Sequence, residues 1–114
     1  MAKKIKELAA GAPLALLQRY VEETAAGRGF ARQNGPQKCL ILGEEVGELF
    51  KAVRALEGIP VGRHSRIPDV ADELADVLLY VCSVANYYGV DLEKAFRSKD
   101  KVLRRRICRP VKGR

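Results

Sequence analysis

The sequence is poor in the residues that form disulfides and bind soft metal ions. Its 114 residues include only three cysteines and one histidine. Cys39, Cys82 and Cys108 are an odd number with no close pairing, so the sequence indicates neither a disulfide framework nor a zinc site. We therefore expect the protein to reside in a reducing cytoplasm.

Long apolar runs and strand patterns are also lacking. No run approaches the roughly 18 apolar residues of a membrane span, and no signal peptide is expected, because no apolar segment follows the charged residues 1–7. Alternating Val, Ile and Thr never extends beyond a few residues, which argues against β-strands. With 47% hydrophobic and 31% charged residues, the composition is typical of one globular domain.

Positive charge is confined to one end of the chain. The net charge is +7, and residues 97–114 hold nine Lys and Arg against one acid. The other 96 residues are close to neutral, with 12 basic and 13 acidic side chains. We expect a helical domain over residues 1–106 and a basic tail over 107–114. A nucleic-acid binder that uses this tail is an alternative function, although a folded binding domain usually carries its basic face on its own surface.

Apolar residues at helical spacing predict four helices. They run from about 14 to 26, from 36 to 57, from the cap Asp69 to Gly89, and from the cap Asp91 to a point before Pro110. The second and third helices carry these apolar stripes: Leu42, Val46, Leu49, Val53 and Leu56; then Val70, Leu74, Val77, Val81, Val84 and Tyr88. Short connections predict an all-α four-helix bundle. The third helix is apolar on more than one side, which predicts self-association.

Five carboxylates border the two stripes. Glu44, Glu45 and Glu48 share one sector of the second helix, and Glu73 and Asp76 share one sector of the third. If the stripes pack together, the two acidic edges face each other. Most helical carboxylates are simply solvated, but few lysines stand near these to neutralise them. A divalent cation would relieve their repulsion, and oxygen ligands without His or Cys favour Mg²⁺ or Mn²⁺.

The same residues carry a resemblance to a known family. Glu44-Glu45-Val46-Gly47-Glu48-Leu49, followed by Glu73-x-x-Asp76, resembles the EExxE…ExxD signature of the MazG-like, all-α nucleoside triphosphate pyrophosphohydrolases. The resemblance implies a helical bundle that forms a homodimer or homotetramer. It also implies Mg²⁺-dependent hydrolysis of a (deoxy)nucleoside triphosphate to the monophosphate and pyrophosphate, as housekeeping of the nucleotide pool.

The resemblance also assigns roles to individual residues. It implies that Glu45, Glu48, Glu73 and Asp76 are the metal ligands, with Mg²⁺ as the natural ion and Mn²⁺ as a substitute. It makes Glu44 a further ligand or the group that orients the attacking water.

Two residues outside the signature are candidates for substrate binding. Lys99 lies between Phe96 and Leu103 on the apolar side of the fourth helix, where its ammonium either reaches the triphosphate or extends past the core to solvent. Tyr80, one turn after Asp76, either contacts the sugar or base or packs in the core with a wetted hydroxyl.

Other readings of the sequence stay open at this point. A non-catalytic helical interaction module would keep the fold without needing the five acids, and phosphoribosyl-ATP pyrophosphohydrolase is a related helical enzyme with similar chemistry. The loop 27–35 lacks the tryptophans and histidine that hold the base in some pyrimidine-selective relatives. The preferred base is therefore not predicted.

Overall fold

The structure is a computed structural model, and it describes residues 6–64 and 66–106. These residues form four α-helices and no strand: α1 Leu14–Thr24, α2 Gly35–Leu56, α3 Val70–Tyr87 and α4 Leu92–Arg105. A 3-10 turn, Ala26–Arg28, follows α1. The all-α prediction is confirmed. The predicted basic tail, with Cys108, lies outside the described residues.

Side-chain caps explain where three of the helices begin. Asn34 accepts a hydrogen bond from the Gln37 backbone N–H at 2.9 Å, and the Gln37 side chain accepts one from the Asn34 N–H, also at 2.9 Å. This capping box satisfies amides that the first turn of α2 leaves unpaired. Asp69 and Asp91 cap α3 and α4, as the sequence predicts, each by accepting hydrogen bonds from backbone N–H groups of the first turn. The helix starts are therefore encoded locally.

The centre of the fold is the antiparallel packing of α2 against α3. Near the start of α2, Lys38 contacts Ser83 near the end of α3. Two turns further along α2, Glu45 lies beside Asp76, two turns earlier on α3. These two pairs fix the register of the helices. Every residue on the facing edges of α2 and α3 is placed by that register, including the acidic edges.

Gln18 makes the side-chain hydrogen bonds that link helix α1 to this pair within the described residues. Its amide donates to the Asn86 side chain at 3.0 Å and to the Val90 carbonyl at 2.6 Å, and its carbonyl accepts from the Leu92 N–H at 3.0 Å. The Asn86 side-chain amide in turn donates to the backbone carbonyl of Gln18 at 3.1 Å. A single side chain thus joins α1 to the end of α3 and the start of α4.

The apolar core of a single chain is small. Within the described residues, the buried hydrophobic side chains are Val21, Ala52, Cys82 and Ala85. The predicted stripes are only partly covered, since Leu56 is 73% exposed, Leu74 52% and Tyr88 55%. Within the described residues, α2 and α3 pack together and α1 packs on α3, but these contacts leave Leu56, Leu74 and Tyr88 of the predicted stripes uncovered.

Helix α4 extends away from this core. It packs mainly against α1, it buries none of its residues, and Phe96 is 69% exposed. The radius of gyration is 17.8 Å, against about 13 Å for a compact chain of this length. None of the described helices has the length and hydropathy that a bilayer span requires.

Replacement of Gln18 tests how α1 is held. We expect Gln18→Ala to lower the free energy of unfolding by about 2 kcal/mol, because the side-chain oxygen of Asn86 and the Leu92 N–H lose their partners in a partly buried site. Urea denaturation measures this change. Glu23→Ala, an exposed change on the same helix, is the control and should alter stability by less than about 0.5 kcal/mol; equal effects of the two variants would show that Gln18 does not anchor α1.

Candidate functional site

Three carboxylates converge where the acidic edges of α2 and α3 meet. Glu45 projects from α2, and Glu73 and Asp76 project from α3 on successive turns. One oxygen of each lies within 4.8 Å of the others. All three side chains are half-buried. This separation is close enough for one cation to bind all three groups.

The electrostatics of this cluster are unfavourable without a cation. Burial raises the pKa of Glu45, and a hydrogen bond to Glu73 and the charges of Asp76, Glu73 and Glu48 raise it further. Oε2 of Glu73 is buried and has no hydrogen-bond partner among the described residues. An unsatisfied carboxylate oxygen costs free energy. The donor set is all oxygen, with no His or Cys in the described cluster, so it suits Mg²⁺ or Mn²⁺ better than zinc.

The cluster opens into a cleft of about 730 Å³, here named the acidic cleft. Its polar lining comes from Glu45, Glu48, Lys51, Arg66, Asp69, Asp72, Glu73 and Asp76. Glu48, one turn after Glu45, is exposed and lies at the rim, where it can complete a ligand set. Glu44 is exposed and does not line the cleft. The structure thus brings three of the five predicted carboxylates together, adds a fourth at the rim and leaves Glu44 beside them.

Tyr80 lies next to the acidic cluster. Its ring meets that of Phe30 edge-on, with ring centres 5.1 Å apart, and it is half-buried. Burial raises the pKa of its hydroxyl, an interaction with the Gln33 amide opposes this, and the charges of Glu45, Asp76 and Glu44 add to the increase. Tyr80 therefore stays protonated near neutral pH and can donate a hydrogen bond.

Lys99 does not reach the acidic cleft of its own chain. It is exposed on α4, and α4 packs mainly against α1. The predicted role stays a prediction.

Two cations in the acidic cleft were not predicted as site residues. Lys51 follows Glu48 by one turn of α2, and Arg66 lies in the loop shortly before the Asp69 cap. The spacing of Lys51 from Glu44 and Glu48 is a signal that places it on their edge. Arg66 has no such periodicity, because it lies in a loop whose path the sequence does not predict.

The charge repulsion in the cluster gives a prediction for the metal-free protein. Because the pKa of Glu45 is higher in the folded state, its ionisation costs stability at neutral pH, and stability increases as the pH falls toward that raised pKa. We expect Glu45→Gln to raise the melting temperature by a few degrees at about pH 7.5 with a chelator present, and to weaken the increase seen for the parent at about pH 5. Thermal denaturation at both pH values measures this. A lower melting temperature for Glu45→Gln at neutral pH would contradict the repulsion.

The family model described as the MazG nucleotide pyrophosphohydrolase domain matches residues 34–107, a span that contains all five predicted carboxylates. A search of curated proteins finds no significant match. Two crystal structures of iMazG from Vibrio DAT 722 are similar in fold. The Ntag form has a TM-score of 0.61 at 30% identity, covering 86% of this chain and 100% of the other.

The Ctag form of the same protein agrees, with a TM-score of 0.59 and 32% identity over 82% of this chain and 99% of the other. The family match covers more than half of the chain, and the acidic residues of α2 and α3 lie inside it. The chain therefore belongs to the MazG nucleotide pyrophosphohydrolase family.

Proposed function

We propose that the protein hydrolyses nucleoside triphosphates, including deoxynucleotides, to the monophosphate and pyrophosphate, and so removes surplus or non-standard nucleotides. The observation that carries this proposal is the convergence of Glu45, Glu73 and Asp76 around a buried, unpartnered carboxylate oxygen. Such a cluster is costly unless it holds a cation. Phosphate oxygens are the ligands that commonly complete the coordination of Mg²⁺.

The ligands in this proposal are Glu45, Glu48, Glu73 and Asp76. These residues would hold Mg²⁺, which would neutralise the phosphates and stabilise the charge on the departing pyrophosphate. Glu44 lies next to the ligands on α2 and outside the acidic cleft, and we assign it the task of orienting or deprotonating the attacking water. Its exposure leaves it free to accept that proton.

Other residues of the acidic cleft suit the rest of the substrate. The ammonium of Lys51 and the guanidinium of Arg66 line the cleft with the acids, where they can bind phosphate oxygens that the metal leaves free. Tyr80 lies between the cluster and Phe30, where its hydroxyl can donate a hydrogen bond to the sugar. The negative charge that binds the metal and the positive charge that binds phosphate thus lie in one cleft.

The reaction is tested by its products. With Mg²⁺ and a panel of common and modified nucleoside triphosphates, we expect pyrophosphate and a monophosphate in equal amounts. Glu44→Gln should lower kcat at least about a hundredfold with little change in nucleotide affinity, since a group acting on the water acts mainly in the transition state. Glu57→Gln, the same change at the exposed end of α2, is the control.

Three results would contradict parts of this proposal. Orthophosphate with a nucleoside diphosphate would show cleavage of the wrong bond. Release of pyrophosphate from phosphoribosyl-ATP alone would identify the related enzyme as the better description. A folded protein that releases nothing from any substrate would favour a non-catalytic interaction module.

We also propose that the chain works as a homo-oligomer. Its accessible surface is 9521 Å², whereas a compact monomer of 12.6 kDa exposes about 6,200 Å². The excess is larger than one partner's share of a standard interface. Large apolar side chains account for part of it, including Phe50, Leu56, Leu78, Phe96 and Leu103. A second copy presents matching apolar faces, so it is the partner that this surface suits.

Self-association also gives Lys99 a role. Lys99 shares a side of α4 with Phe96 and Leu103, and in an assembly that covers this side it lies against the partner. We propose that its ammonium there approaches the acidic cleft of the other copy. Lys99 could then contact the substrate although it does not line the acidic cleft of its own chain.

The oligomer is tested by disrupting the exposed face of α4. We expect sedimentation at micromolar concentration to show a dimer or tetramer, and Phe96→Asp with Leu103→Asp to shift it to a monomer, because the two charges would be buried in the interface. Lys101→Asp, on the same helix and also exposed, is the control and should leave the assembly intact. A parent protein that sediments only as a monomer would refute the proposal.

A further inference from the structure

A second cavity lies at the other end of the α2–α3 pair from the acidic cluster. It measures about 260 Å³ and is named here the Lys38 pocket. The residues that matter for its chemistry are Phe30, Gln33, Lys38, Ser83, Asn86 and Tyr87. Carbon atoms form much of its wall, and a few polar groups converge in it. This combination is typical of a pocket for a small organic group.

Lys38 is the unusual member of this pocket. It is only 6% exposed, and its ammonium donates to the Phe30 carbonyl at 2.7 Å and to the Ser83 hydroxyl at 2.8 Å. No carboxylate in residues 6–64 or 66–106 forms an ion pair with it, although exposed Glu22 also lines the pocket. Burial lowers the pKa of Lys38. Since an ammonium has three donors, one N–H of Lys38 remains beyond these two hydrogen bonds.

Gln33 supplies a complementary group in the same pocket. Its side-chain carbonyl oxygen is buried and has no hydrogen-bond partner in the described part of the chain. Its amide also interacts with the hydroxyl of Tyr80, which places the side chain between the two sites. A buried acceptor without a partner and a buried cation with a spare donor therefore line one cavity.

The position of the pocket suits one end of a nucleotide. Lys38 precedes Glu45, and Ser83 follows Asp76, by two helical turns each, or about 10 Å along the axes. Tyr80 and Phe30 bridge this distance by their ring contact. A nucleotide whose phosphates lie at the carboxylates can extend past Tyr80 and place its base at the Lys38 pocket. This step rests on the proposed function.

We propose that the Lys38 pocket binds the base of the substrate and selects bases that carry a ring carbonyl next to a ring N–H. Guanine, hypoxanthine, uracil and thymine have this edge. Lys38 donates to the base carbonyl, and the free carbonyl of Gln33 accepts from the neighbouring N–H. Adenine and cytosine present an amino group, which donates, and an unprotonated ring nitrogen, which accepts. The amino group would therefore face the donor of Lys38, and the ring nitrogen would face the acceptor of Gln33. Phe30 and Tyr87 offer ring surfaces against which a base can pack.

The test measures binding separately from hydrolysis. Calorimetry with α,β-methylene analogues, which resist cleavage of the α–β bond, compares dGTP with dATP and dUTP with dCTP, so that the two members of each pair match in size. We expect the parent to bind the carbonyl member of each pair at least about tenfold more tightly, the effect of one charged hydrogen bond. Lys38→Met keeps the stem and removes the ammonium, and it should reduce the ratio to about threefold or less.

Two further variants complete the design. Gln33→Met leaves Lys38 in place and removes the acceptor, together with the amide that interacts with Tyr80. It should also reduce the ratio, which keeps the proposal testable if Lys38→Met does not fold. Lys94→Met, an exposed change on α4, is the matched control and should retain the preference of the parent. Thermal denaturation shows whether each variant is folded.

The outcomes separate this inference from the proposed function. Equal binding within both pairs would overturn the inference. An equal loss of affinity for all four analogues in Lys38→Met would also overturn it, and would show that Lys38 only holds Phe30 against α3. Selective binding without pyrophosphate release from the natural triphosphates would support the pocket and refute the activity. Pyrophosphate release without selectivity would support the activity and refute the pocket.

Discussion

The antiparallel packing of α2 on α3 is the constraint on which the rest of the structure depends. Its register sets Glu45 beside Asp76 and Lys38 beside Ser83. A shift of one residue turns each of these side chains by about 100° around its helix and separates both pairs. The same packing therefore creates a negative end and a positive end on one helix pair. The stability of that pair and the geometry of the site are set together.

This helix pair is not stabilised by its functional groups. The clustered carboxylates repel each other, and the buried ammonium of Lys38 gives up hydration for two neutral acceptors. The compensating contributions come from local caps, the hydrogen bonds of Gln18 and a small apolar core. One chain also leaves much of its apolar surface uncovered. A bound cation and a covering copy would each offset a cost that the isolated chain carries.

The sequence predicts the helices well and the tertiary surroundings less well. Asn34, Asp69 and Asp91 cap their helices through hydrogen bonds to nearby backbone, so local sequence is enough to find those ends. The helical period also places Glu45 and Glu48 on one edge, but it does not say what covers that edge. For this reason Leu74 and Tyr88 belong to the predicted apolar stripe and are nevertheless exposed. Lys38 was missed because a lone lysine is normally exposed, and only the path of loop 26–34 brings a carbonyl to it.

The distance between the two charged sites explains why they do not neutralise each other. At about 10 Å along the axes, with Tyr80 and Phe30 between them, Lys38 cannot form an ion pair with Glu45 or Asp76. A shorter separation would let Lys38 pair with one of the carboxylates, which would occupy a metal ligand and use the spare donor of the ammonium. The two-turn spacing on each helix thus has a consequence beyond packing. It keeps opposite charges apart on one helix pair, so that each end retains its own chemistry, and changes at the Lys38 end can alter what is bound without altering the carboxylates.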